Sequence, residues 1–486
     1  MGNNKLISIG IKGLDEILKG GLIPERFYLI RGGPGTGKTT IGTHFLIAGK
    51  KNKETTLFIT LTEPQEKIKY NANNFNFNLD DINFLDLNPN SSFIENNEDY
   101  DIIPPSQKEQ KPLIEKIINK IKEIRPDRIF FDGITQLKYL ASDNFNFRKQ
   151  ILSFMQFIMN YNTTILFTSE ASKEQPDDDL QFLVDGVINL KNNNTNHTIS
   201  VTKMRGSDIQ RGEHPLKFTN QGIKIYPKLE VNNFKRDYSL EQISSGVPEI
   251  DELLHGGIEE GTSTIITGPS GVGKTTLGVQ FMKESSGQGL SSVIYTFEEG
   301  IKTLVERSQK INIPLKNMQE NGNLLIKKID PIKYSPEEFS YEVRQDIKNR
   351  NISIVMLDSI TGYFLFKKEN NNDQEMINRL HSLSEHLKNQ NITVFLINEM
   401  KNITGNFQIT DHGTSYLSDN IIFLRHLELE GKLQKAIGVL KKRMSDFENT
   451  MREFKITKYG IKVGKPLTNL RGILSGNPEM IKENNK

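Results

Sequence analysis

Gly32-Gly33-Pro34-Gly35-Thr36-Gly37-Lys38-Thr39 decides the fold of this chain, because the same signature returns as Gly268-Pro269-Ser270-Gly271-Val272-Gly273-Lys274-Thr275. Both fit G-x-x-x-x-G-K-[ST], a loop whose glycines let main-chain N–H groups close around phosphate oxygens. Lys38 and Lys274 stand 236 positions apart, and Asp15/Asp251 and Glu63/Glu299 keep the same offset. A repeat held over so long a stretch records the duplication of one nucleotide-binding domain.

Working outward, each half opens alike. Ser8 to Leu18 runs into Gly20-Gly21, and Ser244 to Leu254 runs into Gly256-Gly257. The apolar spacing predicts a short helix ended by glycines at positive φ. Strand-length apolar runs follow at 26–31, 55–61, 127–132, 163–168 and 186–190. Their counterparts are 263–267, 292–297, 352–357, 391–397 and 420–424. Helical patterns such as Ser153–Tyr161 and Gln374–Leu387 separate several of them. Strands alternating with helices predict an α/β fold, a mostly parallel twisted sheet covered on both faces. His197–Arg205 and Lys435–Arg443 read as added antiparallel hairpins. Residues 1–228 and 241–476 are the two expected domains, 229–240 the linker and 477–486 a charged, mobile tail. The Asn-rich stretches Asn71–Asn78 and Lys191–Asn196 read as loops without chemistry.

The motifs assign residues to ATP and Mg2+. Gly32, Gly33, Gly35, Thr36, Gly37, Lys38, Thr39 and Thr40 form the first phosphate site. Gly268, Ser270, Gly271, Val272, Gly273, Lys274, Thr275 and Thr276 form the second. The helix beginning near each lysine turns its positive end to the same anion. Lys38 and Lys274 are expected at the β/γ-phosphates, and the hydroxyls of Thr39 and Thr275 at Mg2+. Asp132 and Asp358 each end an apolar strand, where a carboxylate can support metal and water. Glu298-Glu299 ends another strand, with Thr62-Glu63 at the matching place. One such carboxylate can deprotonate or orient the attacking group, and Glu298 is also a candidate at the metal. Lys203-Met204-Arg205 and Lys441-Lys442-Arg443 put a lysine and an arginine on one face of a strand. Read alone, these triplets describe a solvated basic hairpin. Read beside a nucleotide site, they could steady phosphate charge. The eight histidines have no metal-ligand spacing, and His381 and His386 read as surface residues of one helix.

Bulk properties narrow the classes. The 486 residues are 36% hydrophobic and 25% charged, as in globular proteins. A net charge of +2 offers no electrostatic footprint for nucleic acid or an anionic membrane. The absence of cysteine excludes disulfides, thiol catalysis and cysteine-ligated zinc, and suits a reducing cytoplasm. No run of about 18 apolar residues is present to span a bilayer.

Together the two phosphate loops, Glu298-Glu299, Asp358-Ser359, Lys203-Met204-Arg205-Gly206, Ile409-Thr410-Asp411, Met451-Arg452-Glu453-Phe454 and Leu474-Ser475-Gly476-Asn477-Pro478 resemble the KaiC family. These are duplicated RecA-type P-loop ATPases and Ser/Thr autokinases of the circadian clock and its relatives. The resemblance runs from about Ser8 to Pro478. It implies a double-layered homohexamer with ATP at each subunit interface, and a KaiB-like or other signalling protein as partner. It assigns Lys203, Arg205, Lys441 and Arg443 to the neighbouring subunit's nucleotide. The first half takes slow hydrolysis and ring assembly. The second takes autophosphorylation, with Glu298 as general base and Ser415, Thr410 and Tyr416 at acceptor positions.

Departures from the family pattern are Tyr416 in place of a threonine, Thr62 in place of a carboxylate, Gly133 in place of a serine and Met444 in place of a glycine. The brief stretch beyond Pro478 implies a missing or truncated adaptor-binding peptide. Two other readings stay open: an ATP-driven signalling scaffold without kinase activity, and a RecA-type DNA-dependent ATPase, which the near-neutral charge disfavours.

Overall fold

The computed structural model describes residues 6–88, 107–140, 144–170, 177–193, 196–230, 241–366, 373–400, 414–429, 431–473 and 479–480. The chain divides into two compact units, Met1–Lys228 and Leu229–Lys486.

Unit 1 runs α1 (Lys12–Ile17), β1 (Phe27–Gly32), α2 (Lys38–Lys51), β2 (Thr56–Thr60), α3 (Gln65–Asn73), β3 (Asn83–Asp86), α4 (Gln107–Ile124) and β4 (Arg128–Asp132). It continues α5 (Ile134–Leu140), α6 (Asn144–Met159), β5 (Thr164–Glu170), α7 (Asp178–Leu183), β6 (Gly186–Asn193), β7 (Asn196–Met204), β8 (His214–Thr219) and β9 (Gly222–Ile225). The strands form one nine-stranded sheet in the order β3-β2-β4-β5-β1-β6-β7-β8-β9. The first six are parallel; β6 to β9 are antiparallel.

Unit 2 repeats the plan after a short β10 (Gln242–Ile243), α8 (Pro248–Leu253) and β11 (Ile258–Glu259). It runs β12 (Ser263–Gly268), α9 (Lys274–Gly287), β13 (Ser291–Thr296), α10 (Ile301–Gln309), α11 (Leu315–Glu320), β14 (Leu324–Lys328), α12 (Pro336–Arg350) and β15 (Ile352–Asp358). Then come α13 (Ile360–Phe364), α14 (Asp373–Lys388), β16 (Thr393–Glu399), a 3-10 turn (Thr414–Leu417), β17 (Asn420–Leu429), β18 (Lys432–Lys442), β19 (Arg452–Thr457) and β20 (Gly460–Pro466). Sheet order β14-β13-β15-β16-β12-β17-β18-β19-β20 matches unit 1 strand for strand. Both units are RecA-like α/β domains. Of the expected tail, Glu479–Met480 (β22) pairs antiparallel with Leu470–Arg471 (β21).

Alternation along the central strands explains the two layers of each core. In unit 1, Leu29, Leu57, Ile59, Phe131 and Phe167 turn to one face and pack against α4 to α6 through Ile117, Ile121, Leu137, Phe147 and Ile158. Tyr28, Ile30, Phe58, Phe130 and Leu166 turn to the other and meet Ile41, Phe45 and Leu46 of α2. Strands buried on both faces must read as continuous apolar runs, as these do. The helix-ending glycines have the expected positive φ: 126° and 129° at Gly20 and Gly21, 119° and 138° at Gly256 and Gly257.

Some expectations change. Asn71–Asn73 belongs to helix α3, and Lys191–Asn193 and Asn196 belong to β6 and β7, so neither Asn-rich stretch is simply a loop. His381 and His386 are half-buried rather than surface residues, because α14 packs on the sheet. His381 Nδ1 is buried without a hydrogen-bond partner. Among the described residues no helix is long and apolar enough to cross a membrane.

Candidate nucleotide clefts

Each phosphate loop leaves the carboxyl end of its unit's central strand, β1 or β12, and enters α2 or α9 at the lysine. Gly37 and Gly273, the residues before those helices, adopt φ of 97° and 117°, a turn that side chains resist. A Cβ added at Gly33, Gly35 or Gly271 would meet no atom within 4 Å. The loops therefore present bare main chain to an open cradle, which fits a triphosphate.

Lys38 Nζ donates to the carbonyls of Gly32 and Gly33 at 2.7 and 2.9 Å, and Lys274 Nζ to that of Pro269 at 2.8 Å. Burial lowers the pKa of both ammonium groups. Glu170 and Asp132 near the first lysine, and Glu399 and Asp358 near the second, oppose that shift. Thr36 is buried, with its hydroxyl on the Gly33 carbonyl at 2.8 Å. Its counterpart Val272 packs into the core cluster, so only its main chain can face a ligand.

The metal candidates meet in both units. Thr39 Oγ1 donates to Asp132 at 2.8 Å, and Thr275 Oγ1 to Asp358 at 2.9 Å. Hydroxyl and carboxylate oxygens at the loop's mouth are the hard donors Mg2+ takes. Asp132 also accepts from Thr168 at 2.6 Å. Burial raises both carboxyls, Asp358 to about 6, while the threonine hydrogen bonds pull them back down.

The clefts enclose roughly 450 Å³ in unit 1 and 370 Å³ in unit 2, the size of small-molecule sites. Thr40 and Glu63 line the first; Ser270, Thr276, Glu298 and Glu299 line the second. Glu298 is exposed to the second cleft and accepts from Ser359 Oγ at 2.8 Å. Arg307 of α10 grips both oxygens of Glu299 at 2.8 and 2.9 Å, whereas Glu298 forms no ion pair among the described residues. Glu63 instead forms an exposed ion pair with Lys67 at 3.2 Å.

The basic triplets lie elsewhere. Gly186 pairs with both Tyr28 and Met204, so Lys203 and Arg205 sit at the amino edge of the sheet, opposite the loop that follows Gly32. Asn420, paired with Thr264 and Lys442, fixes Lys441 and Arg443 likewise. Lys203 Nζ donates to the carbonyls of Gln181 and Phe182, and Lys441 Nζ to that of Ser418. Arg205 and Arg443, both more than half exposed, sit 3.9 Å from Asp185 and 3.5 Å from Asp419. Tyr416 lies on the 3-10 turn just before β17, half-exposed and edge-on to His381. Thr410 and the side chain of Ser415 lie outside the described residues.

Sequence reasoning missed several lining residues. Asn71, Phe75, Phe77 and Phe218 face the first cleft; Arg307, Ser359, Glu399 and Ile456 face the second. Glu170 and Glu399 end equivalent strands, a signal the repeat offered. The phenylalanines sit in segments with no motif.

The family model described as "ATPase: KaiC" matches residues 7–230 and again 243–468. The "Circadian clock oscillator protein KaiC" of Parasynechococcus marenigrum (strain WH8102) is 28% identical over 487 residues, covering 97% of this chain and 93% of that protein. The "Circadian clock protein KaiC3" of Synechocystis sp. (strain ATCC 27184 / PCC 6803 / Kazusa) is 26% identical over 494 residues, covering 97% and 94%. The counterpart from Rippkaea orientalis (strain PCC 8801 / RF-1) is 28% identical over 486 residues, covering 97% and 91%. Two separate matches, one to each of the duplicated units and together spanning nearly the whole length, mean that this chain belongs to the KaiC family of ATPases.

Proposed function

We propose that the protein is an ATP-binding and ATP-hydrolysing molecular switch that assembles as a homohexamer and phosphorylates itself from the cleft of unit 2. The observation that carries this reading is Glu298, a carboxylate in no ion pair among the described residues, in the same cleft as Lys274, Thr275 and Asp358. Phosphoryl transfer asks the protein mainly for positioning and charge, with one group to take the nucleophile's proton. The loop amides and Lys38 or Lys274 hold the β/γ-phosphates. Thr39 with Asp132, and Thr275 with Asp358, would hold Mg2+, which when bound neutralises developing charge on the phosphates. Glu298 takes the proton from the attacking hydroxyl.

Placement of the triplets supports action between subunits. A six-residue strand spans about 17–20 Å, so Arg205 and Arg443 cannot reach the nucleotide of their own unit. In a head-to-tail ring each would face the neighbour's cleft. The turn bearing Ser415 and Tyr416 lies at that same edge, so transfer to it is also intermolecular. Incubation with labelled ATP followed by mass spectrometry tests the kinase: phosphate is expected on Ser415 or Thr410 and is lost in Lys274→Ala. ATP consumption with both residues bare would favour the second reading, a nucleotide-driven switch without kinase activity. Tyr416 motivates that reading, because its hydroxyl extends beyond the reach of a threonine. In either case a KaiB-like or other signalling protein would respond to the nucleotide state.

A further inference from the structure

The two clefts share their binding parts but not the parts that would drive turnover. In unit 2, Ser359 Oγ donates to Glu298 at 2.8 Å. Arg307 binds Glu299 through both its oxygens and reaches Thr276 Oγ1 at 3.4 Å, tying that carboxylate to α9.

Unit 1 lacks the counterparts of Glu298, Arg307 and Ser359. The repeat offset that relates Lys38 to Lys274 also relates Thr62 to Glu298 and Asn71 to Arg307. Gly133 follows Asp132 as Ser359 follows Asp358. Thr62 is an alcohol, which cannot act as a base near neutral pH. Its hydroxyl lies 3.5 Å from Asp132.

The replacements fit one another. Gly133 has φ of 90°, and a Cβ there would lie 2.4 Å from Thr62 Cγ2. The threonine methyl thus fills the space that a serine at 133 would need. Asn71 lines the first cleft as Arg307 lines the second, but has no charge with which to hold Glu63. Glu63 pairs instead with Lys67 at the surface. Lys38, the loop and the Thr39–Asp132 pair are meanwhile intact.

We propose that unit 1 is a retaining site, which holds ATP without hydrolysing it appreciably, and that ATP turnover belongs to unit 2. This rests on the reading that both clefts bind ATP, and it reverses the division of labour the family resemblance implies. In unit 2 a water oxygen forms a bond to the γ-phosphorus and its proton passes to Glu298. The bond from that phosphorus to the β,γ-bridging oxygen breaks, and ADP leaves with the electron pair. Loss of a general base costs about 10²- to 10⁴-fold.

The test uses the full chain with ATP and Mg2+, measuring ADP release and the nucleotide recovered from denatured protein. Glu298→Gln is expected to lower ADP release at least about 100-fold while about two ATP per chain stay bound, one in each cleft. Adding Lys38→Ala should lower that to about one, the ATP left in unit 2. Adding Thr62→Glu instead should raise ADP release at least about tenfold, by restoring a carboxylate. Near-normal ADP release by Glu298→Gln, abolished by Lys38→Ala, would overturn the proposal, as would ADP in place of ATP as the nucleotide whose retention depends on Lys38. No rise with Thr62→Glu would overturn residue 62 as the seat of the loss. A wild-type chain that binds no ATP at either unit would remove the underlying function reading itself, an outcome distinct from the others.

Discussion

Asp358 closes strand β15 at the floor of the second cleft, where burial raises its carboxyl from 3.8 to about 6. A folded-state pKa above the unfolded value means the folded chain binds this proton more tightly. The resulting stability is full below about pH 4 and is lost as pH rises through about 6. At neutral pH the nucleotide-free protein therefore carries a cost of about 2–3 kcal/mol at this residue. Asparagine keeps an acceptor for the Thr275 hydroxyl and carries no charge. Asp358→Asn is expected to stabilise the nucleotide-free protein by about that amount near pH 8, and not near pH 4. Unfolding followed at both pH values checks it; an equal gain at both would point to packing rather than ionisation. On the proposed function, such a stabilised variant should lose Mg2+-dependent turnover, since it lacks the charge that would hold the metal.

At the scale of elements, α2 and α9 reach their sheets through glycines in equivalent places with different neighbours. A Cβ at Gly42 would lie 2.1 Å from ring atoms of Phe130. That ring is fully buried and held edge-on by Phe58 at 4.9 Å. A Cβ at Gly278 would meet Met356 Sδ at 2.5 Å. A thioether can rotate away where a wedged ring cannot. Alanine favours a helix over glycine by about 1 kcal/mol, and overpacking costs about 1–3 kcal/mol. Gly42→Ala is therefore expected to destabilise unit 1 by about 1–2 kcal/mol, whereas Gly278→Ala leaves unit 2 within about 1 kcal/mol of wild type. Denaturant unfolding of the two variants distinguishes them, and equal losses would refute the argument.

These elements also show what the sequence made legible. Central strands such as β4 were readable because burial on both faces leaves Ile129-Phe130-Phe131 as an unbroken apolar run. The edge strand Asn83–Asp86 is half-buried throughout and carries no such run. The outer β8 and β9 alternate polar and apolar residues over short lengths. The phosphate loops, Asp132, Asp358 and Glu298 were legible through the repeat. Asn71, Phe75 and Phe77 were hidden because helix α3 and the turn after it are polar by composition. Only folding brings them to the cleft.

At the scale of the whole molecule, each unit separates its nucleotide loop from its basic triplet by the full height of its central strand. On the proposed function, a lone chain with that layout would have loops without their arginines and arginines without a phosphate, and a head-to-tail ring would complete both. Such an interface is heterologous, so its two sides come from different surfaces of the chain and can be disabled separately. Lys274→Ala removes the cation on the loop side and Arg443→Ala the guanidinium on the triplet side, and either alone is expected to suppress turnover in unit 2. When the two variants are mixed before assembly, an interface is intact wherever the Lys274 of an Arg443→Ala chain meets the Arg443 of a Lys274→Ala chain. Random mixing in equal amounts makes about a quarter of the interfaces intact, so about a quarter of wild-type ADP release should return. The check is steady-state ADP release of the mixture against each parent, with native mass spectrometry reporting ring composition. Mixed rings that stay as inactive as their parents would mean that Arg443 does not serve the neighbouring nucleotide.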